Sequence, residues 1–277
     1  MNNNKRCLNC NQPLSNKFCP HCGQEDTDIN LTFSELVRDF MGDMFTYDSR
    51  FYRTMFPLMF KPGFLSKEFY LGRRIRYVPP LRLYLFISFI LFLWLALVDT
   101  VTLGDPPNQD VLIENKDRVL SEMEADGSPD WVISLVDQLM NASGKVMENP
   151  AAFLDVLSSR LPYLMFILLP IFAIILWLHY CFSGLGYLRH LIMAFHFHAF
   201  VYTLILVSSI INQIIGWENT WLIFFAVNIY IALALRRAYG SRKTACVFKT
   251  ISILSCYFLT LALGFSAFLF VNVLGYA

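Results

Sequence analysis

Arg73-Arg74-Ile75-Arg76-Tyr77-Val78-Pro79-Pro80-Leu81-Arg82 runs directly into Leu83-Tyr84-Leu85-Phe86-Ile87-Ser88-Phe89-Ile90-Leu91-Phe92-Leu93-Trp94-Leu95-Ala96-Leu97. The second stretch carries no charge, and with its flanks at 81–101 it suffices to cross a bilayer as a helix, which takes about 20 residues. The first stretch is basic, and Lys and Arg collect on the cytoplasmic side of membrane spans. Composition and charge thus place a transmembrane helix at 81–101 with its N-terminal end in the cytoplasm. Each arginine near anionic headgroups adds about 1 kcal/mol. Tyr77 and Tyr84 are expected in the interfacial aromatic belt.

Working outward, the same signature recurs. Hydrophobic residues make up 56% of the chain and mean hydropathy is +0.48, too apolar for a purely aqueous fold. Further spans are expected at 162–182, kinked at Pro170, and at 191–215, 221–235 and 250–275. The fold class is therefore an all-α integral membrane protein with about five transmembrane helices, four of them within 162–277. Residues 99–161 carry 12 Asp and Glu against 4 Lys and Arg, whereas 180–277 carry 1 against 6. Arg189 and His190, then Arg236, Arg237, Arg242, Lys243 and Lys249, mark inner connections, and Glu218 an outer one. An odd number of spans puts the C-terminus outside.

Residues 102–161 are too long for a hairpin and read as an extracytoplasmic helical segment. Asp105-Pro106-Pro107 opens it, and Ser128-Pro129-Asp130 starts an amphipathic helix with Trp131, Leu135 and Leu139 on one side. Asn149-Pro150 begins a short helix leading to the second span.

At the other end, Cys7-Leu8-Asn9-Cys10 and Cys19-Pro20-His21-Cys22-Gly23 are two Cys-x-x-Cys knuckles eight residues apart. Each knuckle can aim two thiolates inward, and two complete a tetrahedral S4 shell around zinc. A redox dithiol pair or an iron–sulfur site uses the same ligands, but matched pairs this close favour structural Zn2+ on Cys7, Cys10, Cys19 and Cys22. Residues 1–26 are read as a zinc ribbon, folded largely by the metal because so short a segment has no core. Gly23 suits the tight turn, and His21 reads as a bystander. The opening Met1-Asn2-Asn3-Asn4-Lys5-Arg6 lacks the apolar run of a cleavable signal, so the expectation is a cytoplasmic ribbon. Lys5, Arg6 and Lys17 form no basic stripe and Glu25, Asp26 and Asp28 follow, so nothing supports nucleic-acid binding.

Between ribbon and membrane, 24–30 reads as a polar linker and 31–80 as cytoplasmic amphipathic helices with a basic juxtamembrane segment. Thr32 and Glu35 match a capping box. Phe33, Leu36, Val37, Phe40, Met41, Met44 and Phe45 then form one apolar stripe. A stretch at 49–60, broken near Pro57, ends at Lys61-Pro62-Gly63, and a short helix over 64–71 ends at Gly72. Such stripes are packing surfaces more often than partner grooves, although Met44 and Met55 would suit a groove.

Candidate chemistry within the membrane is sparse. His179, His190, His196 and His198 invite a metal, haem or proton-path reading, but His196 and His198 lie on different helix faces and no Asp or Glu lies in the apolar interior of a span. The sequence leaves their ligand role open. Asn212, Gln213, Asn228 and Asn272 are expected to hydrogen-bond between helices, and Lys249 to snorkel. Cys181, Cys246 and Cys256 have no paired spacing. No nucleophile–base pair, P-loop or dinucleotide fingerprint argues for an enzyme.

Cys7-Leu8-Asn9-Cys10, Phe18-Cys19-Pro20-His21-Cys22-Gly23-Gln24, Asp48-Ser49-Arg50-Phe51, Lys61-Pro62-Gly63 and the 74–84 string together resemble a family of bacterial zinc-ribbon polytopic membrane proteins of unknown function. The resemblance spans about 7–95 and implies a bacterial inner membrane and a metal-bound ribbon, with no activity attached. The functional expectation is a non-enzymatic inner-membrane adaptor or sensor that engages a cytoplasmic protein partner through the ribbon and the amphipathic helices. The alternative is a transporter or pore-forming subunit. A homo-oligomer is compatible with either.

Overall fold

The computed structural model describes residues 5–14, 16–26, 50–98, 109–148, 150–217, 219–240 and 243–275. Among them the helices are α1 (Arg50–Phe60), α2 (Phe64–Tyr70), α3 (Pro80–Leu97), α4 (Gln109–Ala125), α5 (Asp130–Glu148), α6 (Pro150–His179), α7 (Tyr187–Ile215), α8 (Thr220–Tyr239) and α9 (Lys243–Leu274). No strand occurs among the described residues beyond two isolated bridges near the cysteines. Five helical stretches are long and apolar enough to cross a membrane: Pro80–Leu97, Ala152–His179, Tyr187–Ile215, Thr220–Tyr239 and Cys246–Leu274. The chain is thus an all-helical multi-pass membrane protein by length and composition. The stripe from Phe33 to Phe45, the Thr32–Glu35 capping pattern and Asp105-Pro106-Pro107 lie outside the described residues.

The chain divides into two compact units. The first comprises 1–94 and 169–257, and its centre is α7. Of α7's apolar window 72% is buried, against 22% in α8 and 17% in α9, so α7 is largely surrounded by protein while α8 and α9 keep most of their apolar surface uncovered. Phe172 stacks on Phe197 at 5.2 Å, and Phe200 on Tyr230 at 3.6 Å. Trp94, half-buried, donates its indole N–H to Ser209 Oγ at 2.9 Å, giving that polar edge a partner.

The hairpin α1–α2 packs into this unit rather than lying apart from it. Gly63 sits in the left-handed region at φ 69°, and a Cβ there would lie 2.5 Å from the Ala234 carbonyl oxygen of α8. Only glycine allows both that turn and that approach. Arg237 donates to the Pro62 carbonyl at 3.0 Å, and Tyr70 Oη to the Arg189 carbonyl. Burial pushes the Tyr70 hydroxyl above its usual range, so it remains a donor. Pro62, Tyr70, Arg189 and Arg237 thus gather at the ends of α7 and α8 that the charge pattern assigns to one side.

Several expectations shift. Pro57 does not break α1, which runs through it to Phe60. Burial of Thr54, Pro57 and Leu58 offsets the hydrogen bond that proline removes. Tyr84 does not sit in an interfacial belt; it is 1% exposed, its ring 5.6 Å from Phe195 and 5.7 Å from Tyr202. The basic segment is partly turned inward, with Arg50 donating to the Ile75 carbonyl and Val78 N–H donating to Thr54 Oγ1 at 3.0 Å.

The second unit comprises 95–168 and 258–277. Here α4, which the sequence reading did not single out, pairs with α5, joined by Lys116–Asp137 at 2.7 Å and Lys116–Asn141 at 2.6 Å. Trp131 is 71% exposed, while Leu135 and Leu139 on the same side of α5 are half-buried. The short helix expected from Pro150 is continuous with the second span in α6, because 150–161 contains no breaker. Arg160 donates to Asn272 Oδ1 at 2.7 Å, the interhelical bond expected of Asn272. Asn228 behaves differently and donates to Phe224 within its own helix, while Asn212 and Gln213 are exposed.

Candidate metal centre

The cysteine segment is two copies of one turn, twelve residues apart. Asn11 N–H donates to the Cys7 carbonyl at 2.8 Å and Gly23 N–H to Cys19 at 2.9 Å. Cys7 N–H donates to Gln12 and Cys19 N–H to Gln24, both at 2.9 Å. Each copy closes with a bridge, Arg6 to Pro13 and Phe18 to Glu25. Asn11 at φ 61° and Gly23 at φ 73° both take the left-handed conformation, which asparagine and glycine tolerate best. An ion pair of Lys5 with Asp26 joins the two copies.

This repetition brings the four sulfurs together. The Sγ atoms of Cys7, Cys10, Cys19 and Cys22 all lie within 4.8 Å of one another, with Cys7–Cys22 at 3.6 Å and Cys10–Cys19 at 3.5 Å. A tetrahedral S4 site with bonds of about 2.3 Å has edges of about 3.8 Å, so the thiols can hold one metal ion with only small adjustment. Disulfide sulfurs sit about 2.05 Å apart, and none of these pairs approaches that. Cys7 and Cys19 are buried, and His21 is exposed outside the cluster.

The local electrostatics suit cation capture. Backbone N–H donation from Cys22, then from His21, draws the Cys19 thiol down to about 6 against the opposing effect of burial. At Cys10 the Gln12 amide pulls downward, but burial and the three other cysteines win and push it up to about 12. One thiolate forms readily and discourages the next. A divalent cation held by Cys7, Cys10, Cys19 and Cys22 would remove that conflict by stabilising every sulfur as thiolate.

The cluster is anchored to the membrane-proximal segment. Gln24, buried, donates from Nε2 to the Gly72 carbonyl at 2.8 Å and accepts at Oε1 from Arg74 N–H at 3.3 Å. Leu8 lies against Gly72, where an added Cβ would come within 2.7 Å of Leu8 Cδ1. Arg73 donates to both carboxylate oxygens of buried Glu68 at 2.9 Å, fixing the end of α2. Residue 24 therefore belongs to the folded module and not to a linker. The signal in the sequence is the repeat Lys5-Arg6-Cys7-Leu8-Asn9-Cys10-Asn11-Gln12 against Lys17-Phe18-Cys19-Pro20-His21-Cys22-Gly23-Gln24.

The four intramembrane histidines do not converge. His179 contacts the Ile175 carbonyl and Ser252 Oγ, each at 2.8 Å. His190 meets Tyr239 Oη at 2.9 Å, and His196 meets Ser66 Oγ at 2.9 Å. His198 contacts the Ala194 carbonyl at 2.8 Å and Tyr257 Oη at 2.7 Å. Among the described residues the cysteine cluster is the one grouping of three or more such ligands. Lys249 donates to the His179 carbonyl at 2.8 Å and lies 4.1 Å over the Tyr180 ring, a cation at a helix C-terminus rather than a snorkelling side chain. Cys181, Cys246 and Cys256 remain apart from the cluster.

No curated protein and no solved structure matches this chain. A family model described as Protein of unknown function (DUF3667) matches residues 48–92, so from just ahead of α1 to within α3 the chain is similar to that family.

Proposed function

We propose that this is a multi-pass adaptor or sensor of a bacterial inner membrane. Its N-terminal module holds one structural Zn2+ on Cys7, Cys10, Cys19 and Cys22 as a zinc ribbon, and ribbon and membrane-proximal helices together engage a cytoplasmic protein partner. The supporting observation is the Gln24 clamp on Gly72 and Arg74. Through α2 this clamp leads to the spans by way of Ser66–His196 and Tyr70–Arg189. A load on the ribbon is therefore carried into the spans, as a sensor or adaptor requires. Leu8 and Phe18 stay exposed on the two turns and give a partner apolar footholds. The transporter or pore reading has less behind it, because the buried histidines are engaged with neighbouring groups and the five stretches carry a single acidic residue, Asp155, near the start of Ala152–His179.

Two measurements test this reading. A photoreactive residue at Leu8 or Phe18 should crosslink a defined protein in native membranes, and Cys19→Ser should abolish the product. Purified protein in liposomes should show no flux. Flux that survives removal of 1–26 and disappears in His196→Phe would defeat the adaptor reading. Orientation is checked after replacing Cys181, Cys246 and Cys256 with Ala. Ser128→Cys should react with an impermeant thiol reagent on spheroplasts and Arg236→Cys should not; the reverse pattern inverts the topology.

A further inference from the structure

We infer that the cleft between the first cysteine turn and the membrane-proximal segment is a binding site for a phosphate-bearing anion. The cleft measures about 670 Å³ and is lined by Arg6, Asn9, Arg73 and Arg76 together with the Cys7–Asn11 turn and Leu71. The cleft is open and roomy enough to admit a phosphate group carried on a larger molecule.

Three arginines from two distant parts of the chain line this cleft, and among the described residues no acidic residue lines it. Arg73 already shares its charge with Glu68, which holds the side chain in position. Arg6 donates to the Asn11 carbonyl at a long 3.3 Å, and Arg76 lies over the Tyr77 ring at 5.9 Å. Each guanidinium carries five N–H donors in a planar fork that matches phosphate oxygens. Arg6 and Arg76 are exposed, so an incoming anion meets donors that no buried partner has claimed. Arg76 precedes the first residue of α3 by four positions, which brings the cleft close to the headgroup layer. The phosphate can therefore come from an anionic phospholipid or from a soluble phosphorylated compound. The inference holds whether or not a protein partner exists.

The test uses the full chain in neutral detergent. Native mass spectrometry with added phosphatidylglycerol or phosphatidylcholine reads the lipid source, and calorimetry with sodium pyrophosphate reads the soluble one. Phosphatidylglycerol retention or pyrophosphate binding should weaken about tenfold or more in Arg6→Gln/Arg76→Gln, the scale expected on losing charge-assisted hydrogen bonds. The double lysine variant should keep part of the affinity through charge alone. Since both side chains are exposed, the glutamine variant should match the parent in unfolding temperature; Arg76→Gln alone serves if it does not. Selective retention of phosphatidylglycerol assigns a headgroup, and pyrophosphate binding assigns a soluble ligand. Failure of both probes to bind the parent protein, or binding unchanged by the glutamine substitutions, overturns the inference.

Discussion

Four cysteines and four histidines are the metal-capable side chains that stand out in this chain, and they end in opposite situations. The cysteines lie within 16 residues of one another and their sulfurs converge to within 4.8 Å. The histidines are spread over the second and third spans, and the side chains they meet come from Ser66, Ser252, Tyr239 and Tyr257, between 49 and 130 residues away. A site built from local turns is written in its spacing. A buried polar group in a membrane helix acquires its role only from what packs against it.

The largest effect that could break this comparison concerns metal content. Elemental analysis of the purified full chain should give about one zinc per chain, and Cys7→Ser or Cys19→Ser should remove it. Structural zinc contributes about 10–16 kcal/mol to the folding of small modules, so losing one of four thiolates should unfold residues 5–26. His190→Phe and His198→Phe should leave metal content unchanged. Metal lost from either histidine variant would mean that the two groups are not separate.

Legibility followed the same division. Four of the spans are legible because an apolar run of 18 or more residues admits few other readings, and the fourth in order, 15 residues long as read at 221–235, lengthens to Thr220–Tyr239; span ends move by only a few residues except at α6, which absorbs the helix before it. Gly63 and Gly72 were readable as stops, while the second reason for Gly63, its contact with Ala234, needs a residue 171 positions away. Tyr84 lies in the core rather than the interface; an interfacial tyrosine and a bundle-core tyrosine look alike in sequence and only packing separates them. Gln24 opens a polar run that reads as a linker, although the repeat of the cysteine turn contains it. Hydrogen-bond pairs such as Ser66–His196 had no sequence signal, because neither periodicity nor spacing reaches across 130 residues.

The Ser66–His196 pair sharpens the contrast at intermediate size. Ser66 is fully buried and His196 nearly so, and the hydroxyl meets Nδ1 at 2.9 Å. Ser66→Ala leaves that nitrogen without its partner where no water replaces it, at a cost of about 2–3 kcal/mol. Thermal unfolding followed by tryptophan fluorescence should shift downward, while zinc content stays at the parent value. An unchanged unfolding temperature would show that α2 is not held to α7 through this bond.

The smallest effect tests the two cysteine turns against each other. Gln12 and Gln24 occupy the same place after each knuckle, and the backbone carbonyl of each accepts from the first cysteine of its own turn. Their side chains differ: Gln12 is exposed, whereas Gln24 is buried and bonded to Gly72 and Arg74. Substituting alanine leaves both backbone bonds intact, so metal capture should survive in either variant. Gln12→Ala should be silent. Gln24→Ala removes two hydrogen bonds near a surface that water can reach, which limits the loss to about 1 kcal/mol. In hydrogen exchange the amides at 72–74 should then open about fivefold faster, with α7 unaffected, since local opening follows local stability. Equal behaviour of the two variants would mean that the module is not clamped at Gln24, and the route from ribbon to spans would lose its first link.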